Sequence, residues 1–330
     1  MDVLVSINCI TYNHENYIGD AIESFLMQKT NFDFEIIIGD DCSTDNTKNI
    51  IREYVEKYPG KIILVDSQEN VGWMKNSIRI HEKSRGKYVA LCEGDDYWID
   101  QYKLQKQIDY MEKNEKCTLC FHNAYKISDD CNSGKKKFFA RMNNNEKYDV
   151  GKLATLFIPT ASRIYRKYTM DNLPVWYESS IVGDLPSQLI QTNYGYAYYM
   201  KDIMSVYRVN VETSATKVLF GKKNSKEKKI DNCNRVIELL DNCDKYTNYK
   251  YKKFINKRKM RCIIDILLIE KDIKKIKKYS FYKKINIKQR FQINTYIYLP
   301  ILLLLIKIKA KIKKLGKMEL KLRLNYKYKQ

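Results

Sequence analysis

Glycine and proline are scarce in this 330-residue sequence, which holds 12 of the first and 5 of the second. So low a content of both excludes a collagen-like chain and a low-complexity linker protein. The few glycines never take the spacing G-x-G-x-x-G, G-x-x-x-x-G-K or G-x-S-x-G. Dinucleotide-binding Rossmann folds, P-loop proteins and nucleophile-elbow hydrolases therefore lose their main sequence support.

Acidic residues are scarce only in the last third of the chain. Residues 1–216 hold 26 lysines and arginines against 30 aspartates and glutamates, whereas residues 217–330 hold 34 against 9. The formal charge of +21 thus belongs to a basic C-terminal region attached to a mildly acidic one. Nucleic acid is an unlikely partner, because the first 216 residues would supply few phosphate contacts. A basic nucleic-acid- or membrane-binding protein remains an alternative carried by the basic region alone.

Cysteine and histidine give little sign of a disulfide or zinc framework. The nine cysteines are odd in number, and several lie in apolar runs, which predicts reduced thiols in a cytosolic protein. No basic residue precedes the first apolar run, so we expect no signal peptide. The Cys117-x-x-Cys120-x-His122 spacing suggests zinc but has no second ligand pair, and its alternating pattern favours packing in a strand.

Strand-like and helix-like segments alternate through the first 130 residues. Apolar runs at 3–9, 34–39, 62–65, 87–92 and 117–127 predict strands, and helical spacing of apolar residues predicts helices at 15–28, after Asp45, at 74–84 and at 103–112. Such βα repeats predict an α/β fold with a mostly parallel twisted sheet flanked by helices. We expect a loop at 135–147 and a helix start at Asp184. In such sheets, ligands bind beyond the carboxyl ends of the strands.

Polar and acidic residues follow three of the predicted strands. They are Thr11, Tyr12 and Asn13 after the first strand, Asp40 and Asp41 after the second, and Glu93, Asp95 and Asp96 after the fourth. Five carboxylates at one sheet edge would repel one another unless a cation or hydrogen-bond donors lay among them. Hard divalent cations prefer oxygen ligands of this kind. Joint placement favours a functional site over a helix cap and an acidic turn that happen to be neighbours.

Several ordered motifs resemble glycosyltransferase family 2. They are TYNHENYIGDAIESFLMQ, EIIIGDDCSTDNT, NVGWMKN, GKYVALCEGDDYW, KLQKQ and, further on, VGDLPSQLI. The resemblance extends over residues 3–210 and implies a GT-A-like fold, a nucleotide-sugar donor and transfer with inversion. It also implies a surface-polysaccharide type of acceptor, either a saccharide or a lipid-linked precursor. No Q-x-x-R-W run, usual in processive members, occurs, which favours addition of a single sugar.

The resemblance also implies roles for individual residues. Thr11, Tyr12, Asn13 and Asp40 would lie at the nucleotide sugar, with Tyr12 stacking on the base, and Asp41 would accept a hydrogen bond from uracil. Glu93 replaces the first aspartate of the family's D-x-D motif, while Asp95 would face the ribose and the metal, and Asp96 would be the closest ligand of Mg²⁺ or Mn²⁺. Asp184 matches the general base, although Gly183 replaces the glutamate that many members carry before it; a helix cap is the alternative for Asp184.

The chemistry of inverting transfer needs these residue types. A cation held by carboxylates stabilises charge on the leaving diphosphate, and a carboxylate on the other side of the sugar takes the proton of the acceptor hydroxyl. The alternative enzyme is a nucleotidyltransferase that makes sugar nucleotides, but it needs a glycine-rich loop that residues 5–16 lack. The family resemblance at Asp41 favours a UDP-sugar as the donor of the glycosyltransferase. Trp73, Trp98 and Trp176 could line an acceptor cleft, although packing is the commoner role of tryptophan.

The charge distribution predicts two regions. We expect a GT-A-like domain at 1–216, with its nucleotide-binding part at about 1–130 and its acceptor part at 131–216, followed by a basic, mainly helical region at 217–330. Sixteen uncharged residues at 291–306 would reach roughly 24 Å as a helix, short of the roughly 30 Å hydrocarbon core. The aliphatic run 301–306 beside five lysines instead suits an in-plane anchor on an anionic membrane at 290–330. We therefore expect a cytoplasmic protein, peripheral on the inner face of the cell membrane; a solvated basic extension is the alternative.

Overall fold

Ten strands form one sheet in the computed structural model, which describes residues 2–128, 137–138, 144–153, 156–209, 211, 218–219, 221 and 224–270. In chain order the strands are β1 Val5–Thr11, β2 Phe34–Asp40, β3 Ile62–Asp66, β4 Tyr88–Leu91, β5 Tyr97–Trp98, β6 Cys117–Ser128, β7 Lys137–Phe138, β8 Glu146–Tyr148, β9 Ile164–Arg166 and β10 Tyr196–Val209. The α-helices are α1 Ile18–Leu26, α2 Thr47–Lys57, α3 Trp73–Lys83, α4 Lys103–Lys113, α5 Val150–Leu153, α6 Asp184–Asn193, α7 Lys226–Tyr246 and α8 Lys252–Glu270.

The strand order is β3-β2-β1-β4-β9-β6-β10-β5, with β7 on β6 and β8 on β10. Pairing is parallel for β3-β2-β1-β4 and for β6-β10, whereas β9 and β5 run antiparallel to their neighbours. The predicted α/β fold with a mostly parallel sheet flanked by helices is confirmed. Because β1 lies between β2 and β4, the ends of these three strands meet at one edge.

Burial on both faces explains the apolar residues that dominate the central strands. All seven residues of β2 are buried, and β1 is buried along nearly its whole length. Helix α1 places Ile18, Ala21, Ile22 and Phe25 against this sheet at helical spacing. The predicted strands and helices of the first 128 residues are present, with ends that differ by a few residues.

The predicted loop at 135–147 is wrong at 137–138 and at 146–147, and its residues 135–136 and 139–143 lie outside the described residues. Residues Lys137–Phe138 pair with β6, and Glu146–Tyr148 pair with β10, so two short polar strands extend the sheet. Their side chains carry too little apolar character to signal a strand, because a short edge strand is defined by its partner. The helix expected to be capped by Asp45 begins at Thr47 with Asn46 as its cap position, and Asp45 Oδ1 accepts the Thr47 N–H at 3.0 Å.

The helices after residue 216 share a hydrophobic core with the preceding residues. Val236, Leu239 and Leu240 of α7 pack in one cluster with Leu185 and Leu189 of α6. Helix α7 begins at Lys226, where Ser225 caps it and accepts the Lys228 N–H at 3.2 Å. Two compact units are distinguished, Met1–Cys262 and Ile263–Gln330; a division at 216 stays a prediction.

No helix within the described ranges is long and apolar enough to cross a membrane. The aliphatic run 301–306 and its lysines lie outside those ranges. The eight cysteines within the described ranges form no disulfide with one another, and Cys131 lies outside those ranges.

The turn between α3 and β4 packs closely against the backbone of β1. The Gly86 N–H donates to Ser6 Oγ at 2.9 Å, and Ser6 Oγ donates to the buried Glu35 carboxylate at 2.6 Å. A Cβ on Gly86 would lie 2.5 Å from the Ser6 backbone nitrogen, whereas a Cβ on Gly19 in α1 would meet nothing within 4 Å.

We therefore expect Gly86→Ala to lower the free energy of unfolding by roughly 1–3 kcal/mol, because backbone atoms of β1 would have to move. Gly19→Ala is the matched control and should raise that free energy by about 0.4–1 kcal/mol. Urea unfolding followed by circular dichroism measures both. Equal stability of the two variants would contradict the tight contact at Gly86.

Candidate active site

The candidate active site lies where β1, β2 and β4 end side by side. Thr11 is in register with Asp40 across the β1–β2 pair, and the Gly94 N–H donates to the Ile10 carbonyl at 3.0 Å. A Cβ on Gly94 would lie 2.6 Å from Thr11 Oγ1, so the acidic loop approaches β1 this closely only with glycine at that position. The structure thus brings together all the strand-end residues that the sequence singles out.

The loops after β1 and β2 hold each other through side-chain hydrogen bonds. Asn13 and Cys42 have positive φ angles of 54° and 61°, a conformation that non-glycine residues adopt mainly where surrounding contacts enforce it. The Asn13 N–H donates to Ser43 Oγ at 2.9 Å, and Asn13 Oδ1 accepts the Thr44 N–H at 2.8 Å. Tyr12, between these anchored residues, is only half-buried. The backbone of 11–13 is therefore held in a fixed shape with the Tyr12 ring partly accessible.

Asp40 and Asp41 differ sharply in their contacts. Asp40 is fully buried, and its oxygens accept the N–H and the hydroxyl of Ser43 at 3.1 and 2.5 Å. Asp41 accepts the N–H groups of Val71 and Gly72 at 2.8 and 2.9 Å, one on each oxygen. A carboxylate offers about four acceptor positions, so Asp41 keeps capacity for a further donor. The nucleotide-binding roles of both residues stay predictions.

Glu93, Asp95 and Asp96 form a compact acidic group. Each offers a carboxylate oxygen, and these oxygens lie within 4.8 Å of one another. Burial, followed by the charge of Asp95, raises the pKa of Glu93 and of Asp96 above their ordinary values. Asp96 Oδ1 accepts the Arg208 N–H at 2.8 Å, while its buried Oδ2 has no hydrogen-bond partner in the described residues. Three crowded carboxylates with one unsatisfied buried oxygen fit a hard divalent cation.

Asp184 approaches the same place from a different element. It is the first residue of α6, and Gly183 occupies the cap position. Its side chain makes no capping hydrogen bond; instead Oδ1 accepts from the Arg163 guanidinium and from the Thr160 hydroxyl, the latter at 3.2 Å. Arg163 is buried, whereas the Asp184 side chain is 38% exposed. The contacts therefore favour an oriented, accessible carboxylate over the helix-cap alternative.

Tyr207 lies in the electrostatic field of all four acidic side chains. Burial is the main cause that raises its pKa, and the charges of Glu93, Asp96, Asp184 and Asp95 follow in that order. The charge of Asp184 also contributes to the raised pKa of Glu93, after burial and Asp95. The charge of Asp184 therefore reaches Glu93 of the acidic group, although Asp96 and Asp184 lie 88 positions apart in the sequence.

A cavity of about 260 Å³ opens beside this site. It is lined by residues of the α3 N-terminus, of the segment before α6 and of α7, among them Trp73, Met74, Lys75, Glu178 and Arg235. A Cβ on Gly183 would lie 3.0 Å from Met74 Sδ, which places this wall next to the start of α6. The cavity thus adjoins both the loop that Asp41 holds and the helix that carries Asp184.

The other sequence candidates lie apart from this site chemistry. Cys117, Cys120 and His122 are buried in β6, and Glu93, Asp95 and Asp96 are the group with metal-ligand geometry in the described ranges. Trp98 is buried and donates to the Ala161 carbonyl at 2.8 Å, and Trp176 packs edge-on to Tyr246. Of the three tryptophans, Trp73 lines the cavity.

Sequence reasoning missed the cations of the site. Arg163 is the one charged residue in the apolar stretch 155–165, and Arg208 lies in the largely aromatic stretch 194–209, which also holds Lys201 and Asp202. Arginine is almost never buried without a partner. An arginine within a mainly apolar or aromatic stretch therefore indicates a buried ion pair, and this signal could have identified both residues. Their partners are distant in sequence, so the pairing itself appears only in the structure.

Known proteins give three relevant similarities. An uncharacterized Mycobacterium tuberculosis protein, Rv1520, is 39% identical over 181 residues, which is 52% of each chain. The Escherichia coli UDP-Glc:alpha-D-GlcNAc-diphosphoundecaprenol beta-1,3-glucosyltransferase WfaP is 35% identical over 122 residues, or 37% of this chain and 46% of WfaP. The chain spans about half the length of the curated relatives it matches.

The fold has solved counterparts. The mannosyltransferase PcManGT from Pyrobaculum calidifontis, in complex with GDP-Man and Mn²⁺, superposes with a TM-score of 0.56 at 13% identity, covering 91% of this chain and 81% of PcManGT. At that identity the likeness concerns the fold, which is the GT-A fold of glycosyltransferases. The sequence model of glycosyl transferase family 2 matches residues 6–173, about half of the chain. With that match, that fold and these strand-end motifs, the protein belongs to glycosyltransferase family 2.

Proposed function

We propose that this glycosyltransferase transfers one sugar, with inversion, from a UDP-sugar to a lipid-linked or polysaccharide-precursor acceptor. The observation that carries the proposal is the pair of acidic centres on one site, the crowded group at Glu93, Asp95 and Asp96 and the oriented carboxylate of Asp184. Inverting transfer needs two such centres, because the departing diphosphate and the incoming hydroxyl lie on opposite sides of the sugar.

Asp184 is proposed as the general base. Both of its hydrogen bonds are made by Oδ1, so Oδ2 is left for the proton of the acceptor hydroxyl. The buried guanidinium of Arg163 fixes the rotamer of Asp184 through this contact. A base held in one orientation spends less entropy in reaching its near-attack position.

Glu93, Asp95 and Asp96 are proposed to hold Mg²⁺ or Mn²⁺. When bound there, a divalent cation would stabilise negative charge on the leaving diphosphate. The chain's own contribution is a rigid loop, since the Asp96 N–H donates to the Glu93 carbonyl at 3.0 Å and the Arg208 N–H holds Asp96. The Mn²⁺ in the PcManGT complex supports a divalent metal in this fold.

The donor and acceptor assignments rest on Asp41, the cavity and the relatives. Asp41 has spare acceptor capacity at the strand edge, as pairing with uracil requires, and WfaP is by name a UDP-Glc transferase with a diphosphoundecaprenol acceptor. The cavity beside Asp184 is large enough for a sugar unit, and Trp73 offers an aromatic face. The nucleotidyltransferase alternative is disfavoured, because the loop after β1 binds its own neighbours through Asn13 and contains no glycine-rich turn.

The first prediction concerns the cation. Asp96→Asn keeps an oxygen for the Arg208 N–H but loses the charge, so Mn²⁺-dependent UDP affinity should fall by more than the roughly 10–100-fold that loss of an outer-shell partner costs. Relief of repulsion should leave the melting temperature unchanged or higher. Calorimetric titration of UDP with and without Mn²⁺ measures the effect, and Asp109→Asn on the exposed side of α4 is the control.

Acid should weaken the same binding. The raised pKa values of Glu93 and Asp96 mean that protons compete with the cation, so Mn²⁺ affinity should rise with pH across the neutral range.

An Asp96→Asn protein whose affinity for UDP still depended on Mn²⁺ as in the wild type would refute the assignment.

The second prediction concerns the base. Asp184→Asn keeps the shape and the Arg163 contact but cannot take a proton, so transfer should slow by roughly 10²–10⁴-fold. UDP affinity should change by no more than about twofold. A panel of UDP-sugars with undecaprenol-diphosphate-linked sugars as acceptors, read by released UDP, measures turnover. If Asp184→Asn turns over the active pair as fast as the wild type, the base is another residue.

The C-terminal region is proposed to place the enzyme on the inner face of the cell membrane. Each lysine near an anionic surface contributes about 1 kcal/mol. Substituting glutamine for Lys307, Lys309, Lys311, Lys313 and Lys314 should therefore weaken binding to phosphatidylglycerol vesicles at least tenfold. The full chain suits this test better than truncation near 217, which would uncover the apolar contacts of α7.

Vesicle co-sedimentation across a salt series measures this third prediction. The control variant has glutamine in place of five lysines of α7 and α8, and therefore loses the same charge. It should bind nearly as the wild type does. Equal, negligible sedimentation of all proteins would leave the region as a solvated extension, and salt-resistant binding would indicate deep insertion of 301–306.

A further inference from the structure

Arg208, near the end of β10, connects three parts of the candidate active site. Its guanidinium donates to the Asp95 carbonyl at 2.8 Å and to Asp20 Oδ2 at 2.6 Å, and its backbone N–H donates to Asp96 Oδ1 at 2.8 Å. The ring centroids of Tyr97 and Tyr17 lie 4.6 and 5.0 Å from the guanidinium carbon. One residue thus ties the acidic loop to β10 and to α1.

These contacts act on the peptide between Asp95 and Asp96. The guanidinium holds the carbonyl on one side of that peptide, and the backbone N–H holds the Asp96 carboxylate on the other. Because Oδ1 of Asp96 is engaged, the buried Oδ2 is the oxygen left for a cation. The positive charge of Arg208 also opposes the repulsion within the acidic group, which makes the crowded arrangement less costly.

We propose that Arg208 is a positioning residue that presents the metal-binding oxygens of Asp95 and Asp96, with Asp20 orienting its guanidinium; this rests on the proposed metal-dependent transfer. Both terminal nitrogens of the Arg208 guanidinium donate hydrogen bonds and its side chain is 9% exposed, so we infer that it acts through the acidic loop and not on the substrate. Asp20 is 60% exposed and pairs with it from the outside of α1.

Arg166 provides a matched comparison. It is as buried as Arg208 and donates to the Cys117 and Met111 carbonyls and to the Tyr88 hydroxyl at 2.7–3.0 Å. It contacts the start of β4, at the opposite edge of the sheet from the acidic loop that follows β4. Loss of these guanidinium hydrogen bonds should lower the stability of the protein without changing the contacts of the acidic group.

The test uses the full chain, MnCl₂ as the metal probe and UDP as the nucleotide probe. Arg208→Lys keeps the charge but cannot make both guanidinium contacts at once. It should lower Mn²⁺ affinity, measured by calorimetry and by the electron paramagnetic resonance signal of free Mn²⁺, by roughly 10–100-fold. Metal-free UDP affinity should stay within about twofold. Arg166→Lys should lower the melting temperature as much or more and leave Mn²⁺ affinity unchanged.

A second pair of variants tests the route through Asp20. Asp20→Ala should weaken Mn²⁺ binding in the wild-type background and add little in the Arg208→Lys background, since residues in one network are non-additive. If Arg208→Lys bound Mn²⁺ as tightly as the wild type, or if Arg166→Lys lost as much Mn²⁺ affinity as Arg208→Lys, the inference about Arg208 would be overturned. The proposed metal dependence would then still stand. A wild-type protein that binds no Mn²⁺ would overturn the proposed metal dependence and this inference with it.

Discussion

Repulsion among buried carboxylates is the constraint on which the arrangement of this site depends. Glu93, Asp95 and Asp96 are held within 4.8 Å of one another, at a sheet edge where solvent cannot screen them fully. Two arginines from other elements offset this repulsion. They are Arg208 of β10 and Arg163, the residue directly before β9. One oxygen of Asp96 accepts the Arg208 backbone N–H, and one oxygen of Asp184 accepts from the Arg163 guanidinium. Among the described residues, the second oxygen of each has no hydrogen-bond partner.

The regular part of the fold could be predicted because burial on both faces imposes apolar runs. The strands β1 to β4 and β6 and helices α1 to α4 all follow from such runs, with errors only at their ends. The strands β5, β7, β8 and β9 have two or three residues each, and their existence depends on partners far along the chain. Helix α7 lies in the region after 216 that was predicted to be mainly helical, and Val236, Leu239, Leu240 and Cys243 recur in it at helical spacing.

The candidate site divides in the same way. Residues that follow strands directly, from Thr11 to Asp96, could be located because parallel strands deliver their ends to one edge. Asp184 came only from family resemblance, as its sequence context suits a helix start equally well. The sequence does not assign roles to Arg163, Arg208 and Tyr207. The role of such a cation or hydroxyl depends on the acidic groups near it, and only the fold brings those groups together.

The cavity near the start of α6 draws its walls from two stretches of the chain. Trp73 and Met74 lie within the matched span 6–173, whereas Glu178, Leu219 and Arg235 lie beyond it. Mutations in the second stretch can change the shape and charge of the cavity while the strand-end carboxylates keep their geometry. Asp184 and Arg208 also lie beyond residue 173, so changes of this kind are compatible with the site only where these two residues and their contacts are kept.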